Sequence, residues 1–205
     1  MDDKQSAKEQ KKQLPKTPLK NEEQAPKMNY HQNVVETVVN LADPATTIEG
    51  IKVNIGSGVD YKKGYLNVDK YDSSADLKAD ICDLPFNDNT IAMFTCYEVL
   101  EHLNIYEVQK ALKEIHRTLK PNGSLHATVP YIVDACKKVI ENPEDDWALA
   151  TIYGNQEHEG QYHKNGFTPK RLFKLCGYAG FRIVKTAWIN ASANSVVNIY
   201  LEAVK

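Results

Sequence analysis

The run Ile51-Lys-Val-Asn-Ile55 leads directly into Gly56-Ser57-Gly58, and this join of a short apolar run to a glycine turn decides the fold. A short run rich in β-branched side chains predicts a strand, which here ends at the glycines. Three later runs also predict strands, and each of them ends beside a residue with binding chemistry. They are Tyr65 to Asp69, Ala75 to Asp80, and Ile91 to Cys96 with Tyr97 after it.

Helical patterns alternate with the later strands. This alternation predicts an α/β fold of three layers, α/β/α, with a mostly parallel seven-stranded sheet and a C-terminal antiparallel hairpin. In such sheets ligands bind beyond the carboxyl ends of the strands, so the strand ends predict one shared site. The remaining segments are helices over Tyr106 to Leu119 and Pro169 to Ala179, a strand over Ser124 to Val129, and hairpin strands over Phe181 to Ile189 and Val196 to Val204.

The connection from the first strand to the second is short. Ten residues separate Ile55 from Leu66, barely enough for a parallel crossover, so a single turn or a loop is predicted there instead of a helix. A dinucleotide fingerprint needs a third glycine that opens a helix, and Val59 to Gly64 has none at that spacing. NAD is therefore disfavoured as a ligand.

The N-terminal segment differs in composition from the rest of the chain. Met1 to Lys27 is rich in Lys, Gln and Glu and has almost no large apolar side chains. We therefore predict a disordered polar tail over residues 1–28 and one domain over residues 29–205. His31 to Leu41 has the apolar spacing of a helix, which we expect to cover the entrance to a ligand site.

Composition argues against several classes of protein. A net charge of −2 gives no overall attraction for nucleic acid or for an anionic membrane. The chain has no apolar run long enough to span a bilayer and no apolar signal core, so a cytoplasmic protein is predicted. The four cysteines show no C-x-x-C spacing, which argues against a disulfide framework or a zinc knuckle.

The segment Cys96-Tyr-Glu-Val-Leu-Glu-His-Leu103 follows the fourth strand. A helix that begins near Tyr97 would place Glu98, Glu101 and His102 on one face, where two carboxylates and an imidazole suit a divalent cation. The alternative is that the acids only favour the positive end of a helix dipole and that the imidazole is a half-buried helix residue. The spacing alone leaves both interpretations open.

A second polar segment, Gly154 to His163, lies between the fifth strand and the last predicted helix. Its candidate bases are Glu157, His158 and His163, since an imidazole can take a hydroxyl proton near neutral pH. The alternative is a solvated loop whose histidines have no chemical role. The nearby aromatic residues either stack on a sugar or base or form a small local core; they are Trp147, Tyr153 and Tyr162.

Five motifs between Ile51 and Tyr131 resemble, in order, those of class I S-adenosylmethionine-dependent methyltransferases of type 11. They read V-N-I-G-S-G, N-V-D, A-D-I-C-D-L-P-F-N-D-N-T, E-V-L-E-H-L and R-T-L-K-P-N-G-S-L. The resemblance implies a Rossmann-like fold with S-adenosylmethionine as cofactor. Asn54 departs from the pattern, because the family often has Asp there. The implied cofactor contacts are Gly56, Ser57 and Gly58 with the methionine moiety, Asp69 with the ribose hydroxyls, Asp80 and Ile81 with adenine, and Tyr97 with the sulfonium.

The segment Glu98-x-x-Glu101-His102 is also similar to the metal-binding segment of methyltransferases that act on the 3′-terminal 2′-hydroxyl of small RNAs, and to a segment of ubiquinone-pathway O-methyltransferases. In the RNA enzymes a further histidine, five residues before a helix-opening Thr, completes the metal site. His163 stands at that spacing from Thr168. The resemblance implies that Glu98, Glu101, His102 and His163 hold Mg²⁺ or Mn²⁺. His102 and His163, with the loop residue His158, are the catalytic candidates.

Three functions are consistent with the sequence. The first is methyl transfer from S-adenosylmethionine to an oxygen of a small-molecule or saccharide-like acceptor, with help from a divalent metal. The second is 2′-O-methylation of an RNA 3′ end, which the acidic body of the chain argues against. The third is a non-catalytic S-adenosylmethionine-binding regulatory or scaffold protein, suggested by Asn54 and the short first crossover.

Overall fold

The computed structural model describes residues 50–190 and 195–205 of this 205-residue chain. The predicted tail over residues 1–28 and the predicted helix His31 to Leu41 lie outside the described residues. Seven strands in the described ranges form one sheet, in the order β3-β2-β1-β4-β5-β7-β6. The strands are β1 (Ile51–Ile55), β2 (Leu66–Asp69), β3 (Leu77–Lys78), β4 (Ile91–Tyr97), β5 (Leu119–Pro130), β6 (Arg182–Ile189) and β7 (Asn198–Val204).

The strand pairing confirms the predicted α/β sheet. Strands β1 to β5 run parallel to their neighbours, whereas β7 lies antiparallel between β5 and β6. The strand order reverses direction between β1 and β4, because β2 and β3 extend the sheet on one side and β4 and β5 on the other. That reversal opens a crevice beyond the carboxyl ends of β1 and β4, where sheets of this kind bind their ligands.

Two helices pack on the sheet and are positioned by clear capping signals. Asn104 and Glu107 form a capping box at the start of the first helix, and Thr168 caps the last helix, which ends at Gly180 with φ +103°. None of the helices in the described ranges has both the length and the apolarity of a membrane span. The helices are α1 (Ile105–Thr118), α2 (Ile132–Glu141), α3 (Asp146–Tyr153) and α4 (Pro169–Ala179), with 3₁₀ turns at Leu100–His102 and Glu159–Gln161.

The connection between β1 and β2 contains no helix, as its length predicted. In its place a buried polar network fixes the loop. The Asn54 amide donates to the Asp60 carbonyl at 2.8 Å and to Asn67 Oδ1 at 3.0 Å. Lys62 Nζ donates to Asn54 Oδ1 at 3.1 Å and lies 4.0 Å from the centroid of the Tyr97 ring. An amide suits position 54 better than the family's Asp, because both acceptors around it require a donor.

Two expectations about helices were wrong. No helix begins near Tyr97, because β4 runs to that residue and only a 3₁₀ turn at Leu100–His102 precedes α1. The capping pattern Asn104-x-x-Glu107 was the sequence signal for the true start of α1. The region after β5, where no helix was predicted, contains α2 and α3, which pack against each other. Asp145, which accepts from the Ala148 backbone nitrogen at 2.9 Å, was the overlooked cap of α3.

Candidate active site

Two adjacent cavities open at the carboxyl ends of the parallel strands. The larger has a volume of about 700 Å³ and is bordered by the ends of β1, β2 and β4 and by the segment before α4. The smaller has a volume of about 270 Å³ and lies against α3 and the start of β7. Glu98, His102 and Gln161 line both cavities, so these three side chains form the boundary between them.

The floor of the larger cavity is the glycine turn after β1. Gly56 adopts φ +67°, and a side chain there would collide with Val99, so the backbone itself faces the cavity. Asp69, at the end of β2, is held by backbone N–H groups. Its Oδ2 accepts from Gly58 at 2.9 Å, and its Oδ1 accepts from Tyr71 at 2.7 Å. This carboxylate is therefore fixed in place before any ligand arrives.

The larger cavity is also lined by Asp80 and Ile81, the residues that the resemblance assigned to adenine. Asp80 Oδ1 accepts from the Cys82 backbone nitrogen at 2.8 Å, and Oδ2 lies 3.0 Å from Lys70 Nζ. The His158 ring also lines this cavity, with its centroid 5.8 Å from that of Tyr71. His158 therefore lies at the larger cavity and does not line the smaller one.

Two of the implied cofactor residues do not line the larger cavity. The Ser57 side chain is buried, and its Oγ has no hydrogen-bond partner in the described part of the chain. Tyr97 lies on the opposite face of β4 from the core residue Cys96, with Lys62 over its ring. Val99 and Glu98 occupy the place in the cavity wall that the resemblance implied for Tyr97.

Glu101 is the most unusual group of the smaller cavity. Its side chain is 1% exposed, and neither carboxylate oxygen has a hydrogen-bond partner among the described residues. Burial, and then the charge of Glu98, raise its pKa well above the ordinary value. A buried carboxylate without a partner is costly, so an orphaned one indicates a ligand that the fold is built to accept.

Two imidazoles face this carboxylate. The ring centroids of His102 and His163 lie 4.7 Å apart in an edge-to-face arrangement. His102 Nδ1 lies 3.3 Å from the Tyr162 carbonyl and His163 Nδ1 lies 2.7 Å from the Thr151 carbonyl. Since a carbonyl only accepts, each Nδ1 carries the proton, and each Nε2 keeps its lone pair for a ligand.

These three residues fit a metal ion. Ligand atoms of Glu101, His102 and His163 all lie within 4.8 Å of one another. Burial, helped by the neighbouring imidazole, lowers the pKa of His102 to about 4, and burial also lowers the pKa of His163. Both rings are therefore neutral at pH 7, the form that binds metals. Glu98, the fourth ligand implied by the sequence, lines the same cavity but stands outside this group.

Glu98 is held in a strained conformation at the end of β4. Its φ is +54°, a left-handed value that is costly for a residue with a side chain. Its backbone nitrogen donates to the Thr128 carbonyl at 3.1 Å, and its Oε1 accepts from Asn198 Nδ2 at 3.1 Å. Burial raises the pKa of its carboxyl to about 7. This backbone conformation directs the Glu98 carboxyl, whose pKa is about 7, toward the boundary of the two cavities.

The raised pKa of Glu98 gives the metal-free protein an inverted pH dependence. The folded state holds a proton that the unfolded state releases, so the Glu98 contribution to stability falls as pH rises from about 4.5 to about 7. In the Glu98→Gln variant the free energy of unfolding should fall with rising pH by about 1–2 kcal/mol less than in the wild type. This value is reduced for the partial solvent exposure of the side chain. Urea unfolding in EDTA at pH 5 and pH 8 measures it. An equal decrease in the free energy of unfolding for the wild type and the variant would contradict the raised pKa of Glu98.

The segment that carries His163 is fixed from both sides. The backbone nitrogens of Lys164 and Asn165 donate to the Glu101 carbonyl at 2.8 and 3.1 Å, and the His163 nitrogen donates to the Tyr153 carbonyl at 3.0 Å. Gly154 ends α3 with φ +78° and ψ 173°, a backbone region restricted to glycine. The contacts hold His163 against the short turn that carries Glu101.

Gly154→Ala should therefore move His163 away from Glu101 and His102. A β-carbon at this position would run into the Gln161 carbonyl and would lie 2.8 Å from the His163 nitrogen. We expect the free energy of unfolding to fall by at least about 2 kcal/mol. We also expect the variant to lose any rise in melting temperature that Mn²⁺ causes. Gly177→Ala is the control, since its β-carbon meets nothing within 4 Å on the exposed side of α4. A Gly154→Ala protein as stable as the control would refute this explanation.

Sequence reasoning missed two residues at the boundary of the cavities. Gln161 Oε1 is buried without a hydrogen-bond partner within the described ranges, and Asn198 bonds to Glu98 from the start of β7. Neither belongs to a recognisable motif. The register of β7 against Pro130 of β5 places Asn198 beside the cavity, and that pairing is not readable from the residues alone.

Comparisons with known proteins agree with this geometry. Residues 52–127 match the family described as Methyltransferase domain. An uncharacterized protein of Methanocaldococcus jannaschii is 49% identical over 51 residues, which are 25% of this chain and 21% of that protein. This chain thus spans about a fifth of the length of the curated relative it matches.

Solved structures show the same fold. A SAM-dependent methyltransferase from Methanosarcina mazei superposes with a TM-score of 0.58 and 15% identity, covering 78% of this chain and 94% of that one. The 1,6-didemethyltoxoflavin-N1-methyltransferase of Burkholderia thailandensis was solved with 1,6-didemethyltoxoflavin and S-adenosylhomocysteine. It superposes with a TM-score of 0.52 and 14% identity, covering 76% of this chain and 70% of that one. The residues that match the family run from β1 into β5 and include the glycine turn and Asp69. The chain therefore has the fold of these S-adenosylmethionine-dependent methyltransferases, and its residues 52–127 match the methyltransferase domain family.

Proposed function

We propose that this protein transfers a methyl group from S-adenosylmethionine to a hydroxyl oxygen of a small acceptor, with a divalent cation held by Glu101, His102 and His163. One observation carries the proposal. His102 lines both cavities, while Glu101 and His163 line the smaller one, so the three-residue group lies at the boundary between them. Such a position joins a cofactor cavity to an acceptor cavity.

The larger cavity suits the cofactor. Its volume of about 700 Å³ lies within the usual range of about 300–1,000 Å³ for small-molecule sites. We assign the methionine moiety to the backbone of Gly56 and Gly58, the ribose hydroxyls to the fixed Asp69 carboxylate, and the adenine to the end near Asp80 and Ile81. Asp69 Oδ2 keeps a lone pair for a hydroxyl beyond its bond from Gly58, whereas Oδ1 accepts from both Tyr71 and Asp72.

The smaller cavity supplies the groups that a hydroxyl acceptor needs. When bound, Mg²⁺ or Mn²⁺ would lower the pKa of a hydroxyl and hold two neighbouring oxygens. Glu101 supplies negative charge, and the two histidines supply neutral nitrogen ligands. Glu98 is the proposed proton acceptor, because its pKa of about 7 suits proton transfer at neutral pH and it lines both cavities. Since its pKa is about 4, His102 is a weak base and better suited as a ligand.

Transfer of tritium from labelled S-adenosylmethionine tests the proposal. The full chain is incubated with a small-molecule extract or with total RNA, in Mn²⁺ or in EDTA. We expect label in the small-molecule fraction, in a product stable to conditions that cleave methyl esters, and a large loss in EDTA. Label only in RNA would favour the RNA 3′-end function. Binding of S-adenosylhomocysteine without transfer of the label to any fraction would favour a non-catalytic S-adenosylmethionine-binding protein.

A further inference from the structure

The smaller cavity is poor in positive charge. Among the described residues that line it, none is Lys or Arg. Its charged groups are the carboxyls of Glu98 and Glu101. The larger cavity differs, since Lys70 and Lys164 line it. An anionic substituent on an acceptor would therefore find no cationic side chain to bind in the smaller cavity.

The uncharged lining of the smaller cavity includes three amides and one indole. Asn198 lines this cavity and donates one N–H to Glu98, and its amide carries a second N–H and a carbonyl oxygen. Gln161 presents a buried Oε1 without a partner in the described part of the chain, and Asn155 lines the exposed side. Groups of this kind recognise hydroxyls, because each amide can donate and accept.

Trp147 forms the outer edge of this wall. It is 42% exposed and stands in the first turn of α3, behind the capping residue Asp145. A half-exposed indole offers a flat surface that suits the apolar face of a single ring. The volume of about 270 Å³ lies below the about 300–1,000 Å³ of sites for drug-sized ligands, so one ring fills it.

We infer that the acceptor is an uncharged single ring with two adjacent hydroxyls, which bears no phosphate or carboxylate. The inference rests on the proposed function, since the group at Glu101, His102 and His163 is what would hold the two oxygens. The ring lies against Trp147, and its outer hydroxyls bond to the amides of Asn198 and Gln161. A sugar and an arene share this chemistry, and the test distinguishes them.

Calorimetry on the full chain, with saturating Mn²⁺ and S-adenosylhomocysteine, compares matched probes. One pair is catechol and 3,4-dihydroxybenzoate; the other is methyl α-D-glucopyranoside and its 6-phosphate. We expect the uncharged member of at least one pair to bind at least about tenfold more tightly than its anionic partner. The pair that binds identifies the ring as an arene or a sugar.

Three outcomes would overturn the inference. The anionic member could bind as tightly as the uncharged one, the dinucleotide UpU could bind more tightly than either uncharged probe, or neither pair could bind while Mn²⁺ and S-adenosylhomocysteine both do. Absence of Mn²⁺ binding itself is a different result, because it removes the metal-assisted function on which the inference rests.

A charge insertion checks the cause of the selectivity. Asn155→Lys places a cation on the exposed side of the smaller cavity and should reduce the preference for the uncharged member at least about threefold. Gln156→Lys adds the same charge one residue away, outside the cavity lining, and should leave the ratio unchanged. Equal ratios in the two variants would show that charge in the cavity does not set the preference.

Discussion

Glu101→Gln is expected to abolish the thermal response of the protein to Mn²⁺ and to reduce methyl transfer by more than about 100-fold, the upper end of what losing a metal's supporting residue costs. The same substitution is expected to leave the metal-free protein at least as stable as the wild type at pH 7. The buried carboxylate has no hydrogen-bond partner among the described residues, and an amide costs less to bury than a carboxylate. Function and stability therefore move in opposite directions.

This opposition separates a metal ligand from a structural residue. Melting curves with and without Mn²⁺, and with EDTA, measure both quantities in one experiment. Glu159→Gln is the matched control, because Glu159 is exposed on the 3₁₀ turn that precedes His163. This variant should keep the full response to Mn²⁺. His163→Ala should also lose the response. A Glu101→Gln protein that keeps the shift of the wild type would refute the assignment of the ligands.

Asp69→Asn is expected to weaken binding of S-adenosylhomocysteine by about 100-fold. A hydrogen bond to a charged group contributes about 1.5–3 kcal/mol, and the ribose hydroxyl bonded to Asp69 Oδ2 would lose one such bond. The variant also places an NH₂ group among the backbone donors of Gly58, Tyr71 and Asp72, which now bond to the carboxylate. The end of β2 should consequently lose its fixed geometry as well as its charge.

Isothermal calorimetry measures this loss directly. Asp83→Asn is the control, because Asp83 is exposed and does not line the larger cavity. The control should bind S-adenosylhomocysteine as the wild type does, and both variants should keep the Mn²⁺ response, since the metal group lies at the other cavity. An affinity of Asp69→Asn within threefold of the wild type would place the ribose elsewhere.

The parts of the fold that the sequence predicted are those set by local pattern. The strand from Ile51 to Ile55, the loop that replaces the first crossover helix and the helix that ends at Gly180 follow from residue type, chain length and capping. The meeting of Glu101 with His163 was expected only through the family resemblance. The 3₁₀ turn at Leu100–His102 shows that helical spacing was the wrong reason for the convergence of the acidic residues.

The remaining features depend on contacts distant in sequence. The orientation of Tyr97 depends on strand alternation at the very end of β4, where a one-residue error reverses the face. Glu98 takes its strained φ where its backbone nitrogen bonds to the distant Thr128 carbonyl, and its raised pKa comes from burial, against hydrogen bonds that lower it. Helix α3 forms part of the wall of the smaller cavity and packs against α2, a tertiary contact with weak local signal.

Anomalous diffraction from crystals grown with Mn²⁺ and S-adenosylhomocysteine tests the central claim most directly. The account predicts one manganese peak within bonding distance of Glu101, His102 and His163, with S-adenosylhomocysteine in the adjoining larger cavity. Clear density for the cofactor product with no manganese at these three residues, or with manganese bound elsewhere, would contradict the account.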